Sequence, residues 1–148
     1  MIITYTQIRE KLKENSNFEY LLMFDEVFRG DDNFFVPAKS WYEKEFFPWF
    51  ETQLKHYRVW NYRGSWDCDK YANAFQVFGN ICHAQSNARI TESLAVAEIH
   101  YLPDMSVTRH AINAVFVNEH DLLFIEPQDP KFVTISPSEQ RSITFMKF

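Results

Sequence analysis

The hydrophobic period changes once along this 148-residue chain, and that change constrains the fold more than any other feature. Up to Ser86 the apolar residues recur at helical spacing, whereas beyond Asn87 they form short, often β-branched runs separated by polar or proline-bearing breaks. In the front part, Tyr5, Ile8 and Leu12 predict a short amphipathic helix over about residues 4–15, closed by Glu14-Asn15-Ser16-Asn17. Arg29-Gly30-Asp31-Asp32-Asn33 reads as a turn. Ser40-Trp41-Tyr42-Glu43 has the capping-box form and predicts a helix to about His56, which Pro48 bends or interrupts. Gly64-Ser65-Trp66-Asp67 then supplies loop and N-cap residues for the strongest helix, with Tyr71, Ala74, Phe75, Phe78 and Cys82 on one stripe.

In the back part, Leu94 to Leu102, Arg109 to Val117, Leu122 to Glu126 and Ser142 to Lys147 predict strands, and the breaks between them suit antiparallel hairpins. Helices first and strands afterwards predict an α+β fold, with N-terminal helices and a central helix packed on an antiparallel sheet. At about 100–200 residues per domain, the expectation is one domain over 1–148, with a helical front at 1–60 and the helix and sheet at 61–148.

Charge and cysteine usage exclude several classes. A net charge of -5 without a basic run argues against phosphate-backbone binding, so no nucleic-acid partner is expected. Charged residues interrupt Met1 to Asn15, and no segment reaches ~18 apolar residues. The expectation is a soluble, cytoplasmic protein without a membrane partner. Cys68 and Cys82 fall on one predicted helix, about 21 Å apart at its rise of about 1.5 Å per residue, so both thiols should be free, as in a reducing compartment.

Three segments place a reactive or titratable group at the end of a predicted element. They are Trp66-Asp67-Cys68-Asp69-Lys70-Tyr71-Ala72, His110-Ala111-Ile112-Asn113 and Ile125-Glu126-Pro127-Gln128. Cys68 opens a helix, where free amides and the helix dipole favour a thiolate. Cys, His and Glu in this order have the chemistry of nucleophile, proton acceptor and orienting acid. The arrangement requires a particular register. If Val117 pairs with Leu122, Glu126 opposes Asn113 and faces away from His110; an odd loop or a bulge restores the match. Asn61 and Gln128 are candidate oxyanion donors beside the Cys68 amide, and Trp60 and Trp66 are candidate walls of a substrate cleft. Asp67 and Asp69 oppose a neighbouring thiolate. Cys82 reads as core, Asp31-Asp32-Asn33 as a solvated turn, and no cysteine or histidine spacing seeds a metal site.

On these three motifs the chain resembles the papain-like cysteine peptidase domain that forms the C-terminal half of a mushroom (Marasmius) agglutinin. The likeness runs from Trp66 to Gln128, through Cys-Asp, His-Ala-x-Asn and Glu-Pro-Gln. It implies a papain-like fold, catalytic roles for Cys68, His110 and Glu126, and a peptide or protein substrate cleaved through a Cys68 thioester. It also implies calcium as the only cofactor, although Lys70 stands where a second acid is expected. The expected function is a cysteine peptidase or amidase. The alternatives are transglutaminase-type acyl transfer and a papain-like binding or assembly protein without catalysis.

Overall fold

The Cys68 helix organises the molecule, as its apolar stripe predicts. In the computed structural model, which describes residues 1–23, 27–28, 30–61, 64–86 and 91–148, α5 spans Cys68–Ser86 and buries Tyr71, Ala72, Phe75, Gly79, Cys82 and His83. It lies on one face of a sheet built from β5 (Val96–Tyr101), β6 (His110–Phe116), β7 (Leu122–Glu126), β8 (Lys131–Val133), β9 (Phe145–Lys147) and β2 (Val27–Phe28). The strand order is β2-β9-β5-β6-β7-β8, and every pairing is antiparallel except that of β2 with β9. A second, three-stranded sheet joins β1 (Ile2–Thr4) antiparallel to β3 (Asn33–Phe35), and β3 parallel to β4 (Ser93–Leu94). The architecture is mixed α+β with two mostly antiparallel sheets.

Both faces of the large sheet are covered. On one side α5 and the helices from Lys39 to His56 enclose Tyr42, Phe46, Phe50, Phe75, Val115 and Ile125. Full burial of each such side chain contributes about 1.5–3 kcal/mol, which accounts for much of the 18% aromatic content. On the other side α1 (Tyr5–Lys13), a 3-10 turn at Ser16–Phe18 and α2 (Glu19–Met23) set Ile8, Leu12, Phe18 and Leu21 against Ile99, Ile112 and Ala114. The last helix, α6 (Pro137–Arg141), contacts the 3-10 turn and α2, so it belongs to this second side.

The front part departs from expectation in two ways. It contributes β1, β2 and β3, strands of two or three residues that are too short to show a period. The Ser40–Glu43 capping box does not form either. Ala38 is the N-cap of α3 (Lys39–Trp41) without a side-chain bond, and Glu43 pairs with Lys39 at 3.5 Å. Pro48 does not break the helix, because a wider π-helical turn over Tyr42–Phe46 precedes α4 (Phe47–His56). Pro48 then falls in the first turn of α4, where a missing N–H is tolerated. Arg29 of the expected turn, Tyr62 and Arg63 before the Cys68 helix, and Asn87 at the change of period lie outside the described residues.

Candidate functional site

The β6–β7 hairpin determines which side chains meet. Phe116 pairs with Leu122, so the connection is Val117–Asp121, five residues long. Asn118 shapes it, its Oδ1 accepting hydrogen bonds from the His120 amide at 2.7 Å and the Asp121 amide at 2.8 Å. With this odd loop Asn113 opposes Ile125, and Glu126 comes beside Ile112 on the face that also carries His110. The register that separates the acid from the imidazole is not formed.

His110 Nε2 and Glu126 Oε2 are 2.7 Å apart, with about a quarter of each side chain exposed. Glu126 Oε1 accepts the Gln128 backbone amide at 3.0 Å, so both carboxylate oxygens are held. A carboxylate can only accept, so Nε2 carries the shared proton, and Nδ1 makes no hydrogen bond among the described residues. Tyr101, which pairs with His110 across the hairpin, sets its ring 5.9 Å from the imidazole. Burial, with Glu139 and Glu126 nearby, pushes the Tyr101 hydroxyl up to about 12, so it stays a neutral phenol.

Cys68 opens α5, the helix that packs on the Asn113 face of β6. Residues alternate across β6: Asn113 and Val115 face α5, and Asn113 Nδ2 donates to Ala72 O at 3.0 Å and to Ala97 O at 3.2 Å. Ile112, Ala114 and Phe116 enter the opposite core, and His110 shares their parity. The imidazole therefore leaves the sheet on the side of α1 and α6, while Cys68 opens the helix on the other. Among the described residues no hydrogen bond joins Cys68 to His110 or Glu126. Of the three expected residues, His110 and Glu126 form a hydrogen-bonded pair.

The acids flanking Cys68 are engaged as well. Lys70 Nζ reaches Asp67 at 2.9 Å and Asp69 at 3.1 Å. Hydrogen bonding with Asp69 and then with Lys70 holds the Asp67 carboxyl below the usual range. Among the described residues no group of three or more His, Cys, Asp or Glu is placed to hold a metal.

The remaining candidates separate. Asn61 is exposed, and the Gln128 amide is committed to Glu126. Trp60 is 53% exposed, whereas Trp66 packs edge-on against Tyr71 at 5.8 Å with its Nε1 buried and without a partner among the described residues. The sequence reading missed the anchoring of the β5–β6 loop to α6. Its signal is Ser136-Pro137-Ser138-Glu139, a capping box that does form here, with Glu139 reaching back to the Ser136 amide at 2.7 Å. Two surface grooves of about 500 and 570 Å³ lie elsewhere, one between α4 and the β7–β8 turn and one along α1 and α2.

No protein-family model matches the chain, and no curated protein matches it. Two solved structures share its fold over 99% of its length. One is the PSL1a-E64 complex, with a TM-score of 0.72 and 15% identity. The other is the Polyporus squamosus lectin bound to the human-type influenza-binding epitope Neu5Acα2-6Galβ1-4GlcNAc, with a TM-score of 0.65 and 14% identity. The chain spans about half of each, 51% and 49%. At these identities the likeness shows the fold. It corrects the resemblance drawn from the three motifs, since the named neighbour is a lectin and no match supports a papain-like peptidase. The reading as a cysteine hydrolase is withdrawn with it. So are its papain-like alternatives and its peptide substrate. Among the described residues no helix is long and apolar enough to cross a membrane.

Proposed function

We propose that the chain is a carbohydrate-binding module whose ligand engages His110 and Glu126 at the rim of the large sheet. The observation that carries this reading is the fixed imidazole–carboxylate pair, 2.7 Å apart, partly exposed and with Nδ1 uncommitted among the described residues. Such a pair suits a hydroxyl-rich ligand. A sugar hydroxyl can donate to Nδ1, and a neighbouring one can donate to a remaining lone pair of Glu126. The Gln128 amide and the Tyr101 ring hold both groups in place, which lowers the entropy cost of binding. The fold shared with a sialoglycan-bound lectin supports the same class of ligand. Both cysteines are free, so a reducing, cytoplasmic setting belongs to this reading.

The test uses this chain alone, because it corresponds to only about half of that lectin and binding must then come from these residues. Calorimetric titration with Neu5Acα2-6Galβ1-4GlcNAc and with the neutral Galβ1-4GlcNAc, beside a glycan array, should detect binding. His110→Ala and Glu126→Gln should each weaken it at least ~10-fold, as expected for losing a hydrogen bond to a charged or polarised group, with the thermal midpoint retained. An array without a bound glycan, or two variants that bind as the parent does, overturns the assignment.

A further inference from the structure

The groove between α4 and the β7–β8 turn has a volume of about 500 Å³, within the range of small-molecule sites, and the carbohydrate reading does not use it. Its floor is apolar. Phe47 and Pro48 come from the first turn of α4, Pro130 from the β7–β8 turn and Phe132 from β8. The Phe47 and Phe132 rings are 5.3 Å apart at an interplanar angle of 57°, and each packs 6.1 Å from the ring of fully buried Tyr42. Two rings set at an angle and packed on a third are held before a ligand arrives, which lowers the entropy cost of binding.

The charges around that floor are unequal. Glu43, Glu51 and Asp129 line the groove against one cation, Lys131. These carboxylates do not converge: among the described residues no group of three or more His, Cys, Asp or Glu is placed to hold a metal. A hard metal ion needs a shell of oxygens, which a floor of phenyl and proline rings does not supply. A diffuse organic cation needs ring faces for its carbon substituents and carboxylates nearby for its charge.

The chain already seats an ammonium there. Lys39 Nζ lies 5.0 Å from the centre of the Phe132 ring and 3.5 Å from the Glu43 carboxylate, between a ring of the floor and an acid of the rim. About half of each side chain of that ion pair is exposed, so the contact is weak and open to competition. The other two acids pair with exposed lysines, Glu51 with Lys55 at 2.7 Å and Asp129 with Lys131 at 2.6 Å, and such pairs are also weak.

We propose that this groove is a second ligand site and that it takes a small organic ammonium ion, whose charge lies over the Phe132 ring in the place of Lys39 and whose carbon substituents rest on Phe47, Pro48 and Pro130. Glu43 and Glu51 supply the countercharge, and Lys39 competes with the ligand. The proposal stands independently of the carbohydrate reading.

The test is a ligand-observed NMR titration of the full chain with choline and with glucosamine, beside their uncharged counterparts dimethylbutanol and glucose. Choline or glucosamine should bind at least ~10-fold tighter than its counterpart, as expected for a cation–π contact combined with an ion pair, and the one bound identifies the substituents that the floor accepts. Phe132→Leu and Glu43→Gln should each weaken that binding at least ~3-fold; Glu43 is exposed, so its variant should keep the thermal midpoint of the parent. Lys39→Met should tighten it about threefold, whereas Lys147→Met, which removes the same charge from β9 on the far side of the sheet, should not. A parent that binds neither cation, uncharged counterparts that bind equally, a Glu43→Gln variant that binds as the parent does, or equal gains in Lys39→Met and Lys147→Met overturn the proposal. His110→Ala should leave the affinity unchanged; a loss there assigns the binding to the His110–Glu126 pair and also overturns it.

Discussion

Asn113 ties α5 to the sheet, and its replacement measures how much of the architecture rests on two hydrogen bonds. The side chain is fully buried, its Nδ2 donates to Ala72 O in α5 and Ala97 O in β5, and its Oδ1 has no partner among the described residues. Asn113→Ala removes both bonds, at about 1 kcal/mol net each. It leaves a small cavity, which adds about 1 kcal/mol, and it removes the unpartnered oxygen, which returns a similar amount. The expected loss is about 2 kcal/mol, a fall in the thermal midpoint of about 4–8 °C for a chain of this size.

Asn113→Asp keeps the volume but replaces the donor by a carboxylate facing two carbonyl oxygens, so it should cost more than about 3 kcal/mol or be protonated in the folded state. Urea unfolding followed by tryptophan fluorescence, with the slopes compared to confirm that only the midpoint moves, measures both variants. An alanine variant within about 0.5 kcal/mol of the parent, or an aspartate variant less destabilised than the alanine one, would refute the reasoning.

Gly79→Ala should destabilise the fold by about 1 kcal/mol in the same assay, because the new methyl sits 3.2 Å from Leu94 and 3.4 Å from fully buried Phe46, a strain larger than the helix-propensity gain. His83 is buried, stacks 4.5 Å from Phe35 and leaves its Nε2 without a partner among the described residues, and burial holds its pKa below the ordinary value near 6.5. The unfolded chain therefore takes up the proton first, so stability should fall as pH drops below about 6.5; thermal melts of His83→Phe against pH should lack that component. Ser136→Ala removes the α6 cap and the hydrogen bond from its hydroxyl to Asp104, and should cost about 1–2 kcal/mol in urea while exposing the β5–β6 loop to faster proteolysis.

What the sequence disclosed follows from how far each interaction reaches along the chain. Strands β5, β6 and β7 were legible because five to seven residues suffice to show alternation, and α5 because nineteen residues suffice to show a stripe. The short strands β1, β2 and β3 were not legible, since two or three residues carry no period and their partners lie tens of residues away. The acid and the imidazole were brought together by one loop length, and the signal was local: Asn118 at the start of the turn, with Asp121 closing it through the Val117 amide.

Cys68 illustrates the opposite case. Alternation alone places His110 and Asn113 on opposite faces of β6, whatever the fold. What alternation cannot say is which face receives α5, and that was settled by Asn113, a polar residue sent into the interior to hydrogen-bond Ala72. Once that bond assigns the face, the imidazole three residues earlier must emerge on the other side. Motif order along the chain therefore does not by itself place Cys68 against His110 and Glu126, because order preserves neither strand parity nor the face against which a helix packs.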